Sequence, residues 1–323
     1  MATILTTRVL EAEIGDLLED DCPLCRQRRL LVLPFRYAFR GRFLYGVRCT
    51  HCALVFVHPQ PDGEEITQMY GEEYFTAHSD SIGAHGAGAY MEQAKQGVHE
   101  RGNASRRMDR RLLSVLETRG RFLEIGCGPG FFLSEMRNRG WQVAGVEISS
   151  YAVRHAREEL GLEVTEAALD DAHLPARSFD AIFLGDVLEH LPSPTASLRR
   201  IAGWLRPGGA LVVAVPSTMN LLSARLGLSL YRLRRRWKTL RLPPYHLFEY
   251  TPATLRRMID GAGFRVERIE QSAVPLARMG LRGSALENSA KVTMQVPAIL
   301  SSRLINRGGD RLLAVAKRES IER

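Results

Sequence analysis

The chain has 323 residues, which is enough for one large domain with an accessory module. Its composition, 45% apolar and 25% charged, is typical of a globular protein, and no uninterrupted apolar stretch approaches the ~20 residues of a membrane-spanning helix. The net charge is +8, and residues 219–248 contain seven basic residues and no acid. The charges of the remaining residues are therefore nearly balanced, which argues against a nucleic-acid-binding surface that extends over the whole protein.

The N-terminus shows no long apolar core followed by a small-residue cleavage site. We therefore expect a cytoplasmic protein without a secretory signal.

Residues 1–63 are predicted to form an N-terminal zinc-ribbon module. Two C-x-x-C pairs lie among short predicted strands at residues 44–47 and 54–57, and their members are Cys22, Cys25, Cys49 and Cys52. Two such pairs are typical of a tetrahedral Zn²⁺ site with four thiolates, which has no open position for water and is structural. The alternatives are unligated thiols in a turn-rich region, or His51 and His58 as competing ligands.

Residues 64–118 are predicted to be a linker and helical cap, with a Gly-rich loop at residues 83–88 and a helix at residues 104–117. From residue 119 to residue 318, strands and helices alternate. This pattern predicts an α/β domain with a doubly wound, mostly parallel seven-stranded sheet. The expected strands, of which the last would pair antiparallel at the end of the sheet, are residues 122–125, 143–147, 163–165, 180–184, 210–215, 265–270 and 312–316.

A glycine-rich turn follows the first of these strands. Gly126, Gly128 and Gly130 stand where the strand passes into a helix, and glycines there let backbone N–H groups approach a ligand. The alternative is a tight turn without a ligand. A dinucleotide fingerprint would place its third glycine at Phe131. Glu147, which ends the second strand, is placed to accept hydrogen bonds from both hydroxyls of a ribose, unless it is an ordinary exposed acid.

Over residues 121–270, the order and spacing of several motifs resemble class I, Rossmann-like methyltransferases related to the ubiquinone and sugar methyltransferases. The motifs are E-x-G-x-G-x-G at 124–130, L-D-D-A at 169–172, G-D-V-L-E-H-L at 185–191, L-R-P-G-G at 205–209 and A-G-F at 262–264. The resemblance implies S-adenosylmethionine as the cofactor. It places Glu124 and the glycine turn at the site, Leu169 and Asp170 beside the adenine, and Asp186 near the methionyl end.

The cysteine region resembles the N-terminal zinc ribbon of some bacterial methyltransferases, including certain sugar C-methyltransferases. V-F-V at 55–57 and Y-G-E-E-Y-F at 70–75 match that neighbourhood. A competing resemblance is to zinc-containing ribosomal RNA guanine methyltransferases. Their fourth ligand is a histidine several residues after the third cysteine, whereas this chain has Cys52, which counts against the RNA interpretation.

Candidate catalytic residues follow the fourth strand, on the side where such sheets bind ligands. A methyl transfer needs two oriented reactants, and a base only where the acceptor must lose a proton. Asp186 and His190 are candidate catalytic residues, and His190 is one candidate base. The alternative is that Glu189 and His190 brace the following helix. A similar stretch in ubiquinone O-methyltransferases can hold Mg²⁺, but Asp186 replaces its first glutamate and no such metal is assigned. His246 is the second candidate base, or a structural histidine.

Residues 219–248 are predicted to be a basic lid insertion of the methyltransferase domain. Leucines and Trp237 recur at helical spacing from Leu222 to Leu240, and arginines occupy the other faces. Such a helix suits a lid over the acceptor site, a dimer contact, a membrane-surface patch or a solvated basic face.

The sequence thus predicts an S-adenosylmethionine-dependent methyltransferase with a structural Zn²⁺. The expected acceptor is a small molecule, a sugar or a lipid-linked glycan intermediate, with a phosphate or carboxylate that the basic segment would face. One alternative is an RNA-modifying methyltransferase, favoured by the pI of about 9.5 but opposed by the concentration of charge in one segment. The other is a non-catalytic protein that retains the cofactor fold. Nucleic acid is not expected as a partner, and membrane contact and the oligomeric state stay open.

Overall fold

A computed structural model describes residues 20–70, 74, 98–234, 237–276 and 285–319. The chain divides into two compact units. The first comprises Met1–Pro61, Pro216–Arg257 and Gln271–Arg311, and the second comprises Asp62–Val215, Met258–Glu270 and Leu312–Arg323. The Gly-rich loop expected at residues 83–88 lies outside the described residues.

The described strands, in chain order, are β1 (Leu30–Phe39), β2 (Arg42–Cys49), β3 (Val55–His58), β4 (Arg121–Ile125), β5 (Gln142–Glu147), β6 (Val164–Glu166), β7 (Phe179–Gly185), β8 (Leu205–Pro216), β9 (Lys238–Leu240), β10 (Phe248–Glu249), β11 (Phe264–Ser272) and β12 (Arg311–Arg318). The described α-helices are α1 (Gly63–Met69), α2 (Val98–Leu113), α3 (Phe131–Arg137), α4 (Ser150–Glu158), α5 (Pro194–Trp204), α6 (Leu222–Leu233), α7 (Pro252–Asp260) and α8 (Ala285–Ile305).

The second unit is built on a seven-stranded sheet with the order β11-β12-β8-β7-β4-β5-β6. β4 pairs in parallel with β5 and β7, β5 pairs in parallel with β6, and β7 with β8. The predicted α/β fold, with a doubly wound and mostly parallel seven-stranded sheet, is confirmed. One detail was wrong, because β12 lies between β8 and β11 and not at the end of the sheet.

The direction in which the chain builds this sheet reverses beside β4. The chain first moves outward from β4 through β5 to β6, and then returns to β7 and β8 on the other side of β4. Open α/β sheets bind ligands in the crevice outside the carboxyl ends of the strands at such a reversal. The turn after β4 and the residues after β7 are therefore the expected place for a site.

The apolar sequences of β7 and β8 explain why they occupy the middle of the sheet. Ile182, Leu184, Leu211 and Val213 are fully buried, as is typical of parallel strands that are covered on both faces. Full burial of each such side chain contributes roughly 1.5–3 kcal/mol to stability, so these strands give the site a rigid base.

The first unit contains a five-stranded sheet with the order β10-β3-β2-β1-β9. β1 and β2 form an antiparallel hairpin, and its two-residue loop, Arg40 and Gly41, has φ values of 49° and 78°, as in a type I′ turn. β9 pairs in parallel with β1, and β10 pairs antiparallel with β3. Residues 219–248, expected as an insertion of the methyltransferase domain, thus supply strands to the sheet of the N-terminal region.

The basic segment also differs from its predicted secondary structure. Apolar residues keep helical spacing as far as Leu240, but α6 ends at Leu233 and residues 238–240 form β9. Arg235 and Arg236 lie outside the described residues. α6 contacts α8, a 21-residue helix of the same unit that the sequence analysis did not predict. None of the described helices combines the length and apolar character needed to cross a bilayer.

Candidate active site and metal centre

A cavity of about 660 Å³ lies at the carboxyl ends of β4, β5 and β7. All of its lining residues belong to the second unit. The predicted site residues that line it are Gly126, Gly128, Glu147, Leu169, Asp170, Asp186 and His190. Residues from four separate strand ends therefore meet at one cavity, at the place where the strand order predicts a ligand.

The three glycines of the turn have different structural roles. All three adopt left-handed φ values, of 66° at Gly126, 52° at Gly128 and 83° at Gly130. A Cβ atom on Gly126 would lie 2.5 Å from Val187 Cγ2, and one on Gly130 would lie 2.5 Å from Leu162 Cδ1. Gly126 and Gly128 line the cavity, whereas Gly130 is the N-cap of α3 and lies against packed side chains. A ligand contact at Gly130 stays a prediction.

Glu147 is tied to the glycine turn by its carboxylate. Its Oε2 accepts a hydrogen bond from the Gly128 N–H, and its Oε1 accepts one from the Ser149 N–H, both at 2.9 Å. The side chain is buried, and this burial raises the pKa of Glu147 although the two N–H donors favour the ionised form. Each carboxylate oxygen keeps accepting capacity beyond these bonds. Glu147 thus fixes the turn and can also accept hydroxyl groups.

Glu124, near the end of β4, is a buried acid with an unsatisfied oxygen. Its Oε2 has no hydrogen-bond partner among the described residues. Burial, together with the nearby charge of Glu147, raises the pKa of Glu124 well above its ordinary range. An unpaired buried polar atom costs about 1–3 kcal/mol. A cationic donor in the adjoining cavity, which Ile125 and Gly126 line, would remove that cost.

Leu169 and Asp170 lie in the segment after β6. Leu169 is buried and lines the cavity with an apolar surface. Asp170 also lines the cavity, and its Oδ1 accepts a hydrogen bond from Ser197 Oγ at 3.2 Å. An apolar wall beside an anchored carboxylate suits a flat heteroaromatic ring with exocyclic donors.

Asp186 and His190 follow β7 directly. Asp186 has a left-handed φ of 56°, which is sparsely populated for residues other than glycine, and its N–H donates to Ala214 O at 2.9 Å. Such strained residues cluster at functional sites. His190 ends a 3₁₀ turn that begins at Leu188, and its Nε2 lies 3.6 Å from Oε1 of the buried Glu189.

Tyr70 is a cavity residue to which the sequence analysis assigned no role. Its hydroxyl lies 2.9 Å from His190 Nδ1, within hydrogen-bond distance, and the two rings are nearly perpendicular. Tyr70 follows α1, which begins with a capping box: Glu65 N–H donates to Asp62 Oδ1 at 2.8 Å, and Asp62 N–H donates to Glu65 Oε2 at 2.9 Å. The D-x-x-E pattern at 62–65 was the available signal for this helix.

His246, the second candidate base, belongs to the first unit. Its Nδ1 lies 3.9 Å from Glu249 Oε1, and its side chain is about one quarter exposed. The neighbouring Tyr245 is buried, which raises the pKa of its hydroxyl. A catalytic role for His246 stays a prediction.

The four N-terminal cysteines converge in the first unit. Cys22 Sγ lies 3.6 Å from Cys52 Sγ, and Cys25 Sγ lies 3.6 Å from Cys49 Sγ, while all four sulfurs lie within 4.8 Å of one another. Disulfide sulfurs would be about 2 Å apart. Four sulfurs arranged tetrahedrally at about 2.3 Å from Zn²⁺ are separated by roughly 3.8 Å, close to the observed spacing. The donor set therefore fits a tetrahedral metal.

The two cysteine pairs have the same backbone geometry. Arg26 N–H donates to Cys22 O and Ala53 N–H donates to Cys49 O, both at 2.9 Å, and both donor residues have left-handed φ values. The Cys52 thiol lowers the pKa of Cys22 to about 5 by donating to its thiolate. His58, considered as a competing ligand, instead pairs with Asp20 at 2.7 Å.

Comparisons with known proteins identify the family. Residues 99–269, more than half of the chain, match the family described as methyltransferase domain. A ubiquinone biosynthesis O-methyltransferase of Xanthomonas axonopodis pv. citri (strain 306) is 33% identical over 156 residues, which are 46% of this chain and 64% of that relative. The corresponding protein of Azoarcus sp. (strain BH72) is 36% identical over 105 residues, 30% of this chain and 43% of that relative.

The chain therefore matches less than two thirds of the length of these relatives. Among solved structures, an S-adenosylmethionine-dependent methyltransferase from Archaeoglobus fulgidus has 23% sequence identity and a TM-score of 0.45, covering 68% of this chain and 94% of that chain. The match over residues 99–269 confirms the resemblance derived from the sequence motifs: the chain belongs to the methyltransferase-domain family of the class I, S-adenosylmethionine-dependent type.

Proposed function

We propose that the protein binds S-adenosylmethionine in the cavity at the ends of β4, β5 and β7 and transfers its methyl group to a small-molecule, sugar or lipid-linked glycan acceptor. The observation that carries the proposal is the convergence of the glycine turn and Glu147 on one cavity. The unsatisfied Glu124 adjoins it, next to the lining residue Ile125. The ubiquinone relatives support a small-molecule acceptor.

Each end of the cofactor would have a suitable partner in or beside this cavity. The Glu124 carboxylate would accept from the α-amino group, which supplies the cationic donor that its buried oxygen lacks. Glu147 would accept from the ribose hydroxyls with the capacity left beyond its two backbone bonds. Leu169 and Asp170 would border the adenine, and Asp186 the methionyl end.

When bound, S-adenosylmethionine supplies an electrophilic methyl group on a sulfonium sulfur. The residues of the chain hold the reactants in line and exclude water. His190 is the proposed base for an acceptor hydroxyl, with Nε2 as the atom that takes the proton. Tyr70 is proposed to position it, because a hydrogen bond from His190 Nδ1–H to the Tyr70 oxygen would fix the ring in that tautomer. The Glu189 carboxyl, whose Oε1 lies 3.6 Å from Nε2, would lie beside the proton that Nε2 takes up.

A direct test combines calorimetric titration of the full chain with S-adenosylmethionine and a screen for labelled methyl transfer. Acceptors in the screen are nucleotide-sugars, lipid-linked phosphates and uncharged analogues, followed by mass analysis of products from cell extract. Binding without transfer to any extract component would favour a non-catalytic protein, and transfer to RNA would favour the alternative acceptor class.

His190→Ala is expected to lower kcat by about 10²–10⁴-fold while the affinity for S-adenosylmethionine stays within a few-fold, since a base acts on the acceptor. Tyr70→Phe should lower kcat less and alter the pH–rate profile, because the ring loses its partner at Nδ1. Steady-state kinetics across pH give both readouts. A loss of kcat in His246→Ala with a normal His190→Ala variant would assign the base to His246 instead.

We also infer that Cys22, Cys25, Cys49 and Cys52 hold a structural Zn²⁺. The equivalent turns at the two cysteine pairs and the sulfur separations support this assignment. A site closed by four thiolates has no position for a substrate, so its role would be to stabilise the first unit.

A further inference from the structure

The first unit exposes an unusual apolar surface on α8. Val296, Leu300 and Leu304 recur at intervals of four residues, so they lie on one face of the helix, and they are 40%, 53% and 79% exposed. The same helix buries polar side chains: Gln295 is 5% exposed and Ser302 is 6% exposed. The helix therefore carries an apolar stripe on an exposed face while it buries Gln295 and Ser302, which is unusual for a surface helix.

Hydrogen bonds of Gln295 stabilise this orientation: its Nε2 donates to Val274 O at 3.0 Å and to Asp310 Oδ2 at 2.8 Å. Ser302 Oγ is satisfied within the helix, where it donates to Ile299 O at 3.0 Å. Because these buried polar groups have hydrogen-bond partners, burying them costs little free energy, and the apolar stripe can stay exposed.

The neighbouring helix α6 shows the same feature. Leu226, Leu230 and Leu233 follow helical spacing and are 55%, 46% and 81% exposed. α6 and α8 contact each other, so both exposed stripes belong to one region of the first unit. We call the six side chains on these two stripes the leucine face. Exposed apolar surfaces of this kind mark interaction sites.

The exposed charged residues at the ends of the two helices are basic. Arg232 and Arg234 are exposed at the end of α6, and Arg303 and Arg307 are exposed at the end of α8. Residues 219–248 and 288–309 contain no acidic residue. Apolar stripes bordered by arginines are the pattern of helices that lie in the interface of an anionic membrane.

We infer that the leucine face docks the protein on the surface of an anionic lipid bilayer. The leucines enter the boundary between headgroups and acyl chains, and the four arginines lie among the lipid phosphates. A second copy of the chain is a poorer occupant, because a two-fold contact would bring two surfaces bordered by arginines together with no acid in these segments to balance them. The surface would present a lipid-linked acceptor to the protein, but docking itself needs neither cofactor nor acceptor.

The test is co-sedimentation of the full chain with two kinds of vesicle, phosphatidylcholine alone and phosphatidylcholine containing phosphatidylglycerol. The wild-type chain should bind the anionic vesicles, and more weakly as salt is added. Leu300→Gln with Leu304→Gln should weaken binding at least about tenfold, and these exposed positions should leave thermal unfolding nearly unchanged. Arg232→Gln with Arg234→Gln should weaken it about fivefold for each arginine.

Two controls match these variants. Leu276→Gln changes an exposed leucine, 38% exposed, that lies on neither helix. Arg154→Gln with Arg257→Gln also removes two positive charges, but from exposed positions on α4 and α7. Both controls should bind like the wild type. The inference is overturned if the wild type ignores anionic vesicles, if the leucine variants bind normally, or if light scattering shows a dimer that the leucine variants dissociate without any vesicle binding. Methyl transfer is not part of the readout, so failure here leaves the proposed function intact.

Discussion

Replacing Gly128 by valine is expected to abolish detectable binding of S-adenosylmethionine. Gly128 lines the cavity with a φ of 52°, a conformation in which a β-branched residue is strained. The valine side chain would also occupy space beside the backbone N–H groups that approach the ligand, and Gly128 N–H would no longer hold its bond to Glu147 in the same geometry. Calorimetric titration of the purified variant measures the loss.

Gly161→Val is a matched control for backbone strain. Gly161 has a φ of 60°, a Cβ atom there would meet no other atom within 4 Å, and the residue does not line the cavity. This variant should lose stability to a similar degree and still bind the cofactor. If both variants bind equally well, the glycine turn is only a tight connection between β4 and α3.

Glu147 permits a graded version of the same experiment. Glu147→Ala removes the acceptors for the ribose hydroxyls and also leaves the Gly128 and Ser149 N–H groups unpaired. A buried ribose hydroxyl that lacks its acceptor costs about 1–3 kcal/mol, so the affinity for S-adenosylmethionine should fall on the order of 5- to 100-fold. Glu147→Gln keeps one carbonyl acceptor and should lie between the alanine variant and the wild type. Tight binding of NAD in place of S-adenosylmethionine would overturn the cofactor assignment.

The seven-stranded sheet was predictable because its signals are local. β7 and β8 are apolar runs between turns, and the glycine turn and Glu147 lie at fixed distances along the sequence from their strands. Residues separated by one strand–helix unit must meet at the carboxyl edge of a parallel sheet, so the spacing alone brought Gly128 and Glu147 together.

Other features depend on contacts that no local pattern contains. β9 is three residues long, and it pairs Lys238 with Phe35 across about two hundred residues. Leu240 within it, and Leu233 and Trp237 before it, keep a helical period, which led to the prediction of one continuous helix. The Tyr70–His190 pair likewise joins residues 120 positions apart, and a tyrosine after a short linker helix has no pattern that reveals its partner.

At the zinc site, the spacing of the cysteines in the sequence and the positions of their sulfurs in the structure agree. Removing the zinc ligands is expected to have a large effect. Purified protein should contain about one Zn²⁺ per chain, and Cys22→Ser with Cys25→Ser should contain none. Two thiolates removed from four leave too few ligands for a closed site, and binding and folding are coupled at such sites. We therefore expect the double variant to lose protease resistance in the N-terminal region, measured by limited proteolysis alongside elemental analysis.

Cys127→Ser provides the matched control. Cys127 is the fifth cysteine, buried in the second unit, where its Sγ lies 3.7 Å from Gly128 O, and burial raises the pKa of its thiol well above the ordinary range. This variant should keep the full zinc content. Removing the metal from the wild type with a chelator should expose the first unit to protease but preserve S-adenosylmethionine binding, since every residue lining the cavity belongs to the second unit. Full zinc content in the Cys22 and Cys25 double variant would disprove the assignment, because no tetrahedral four-thiolate site survives the loss of one complete cysteine pair.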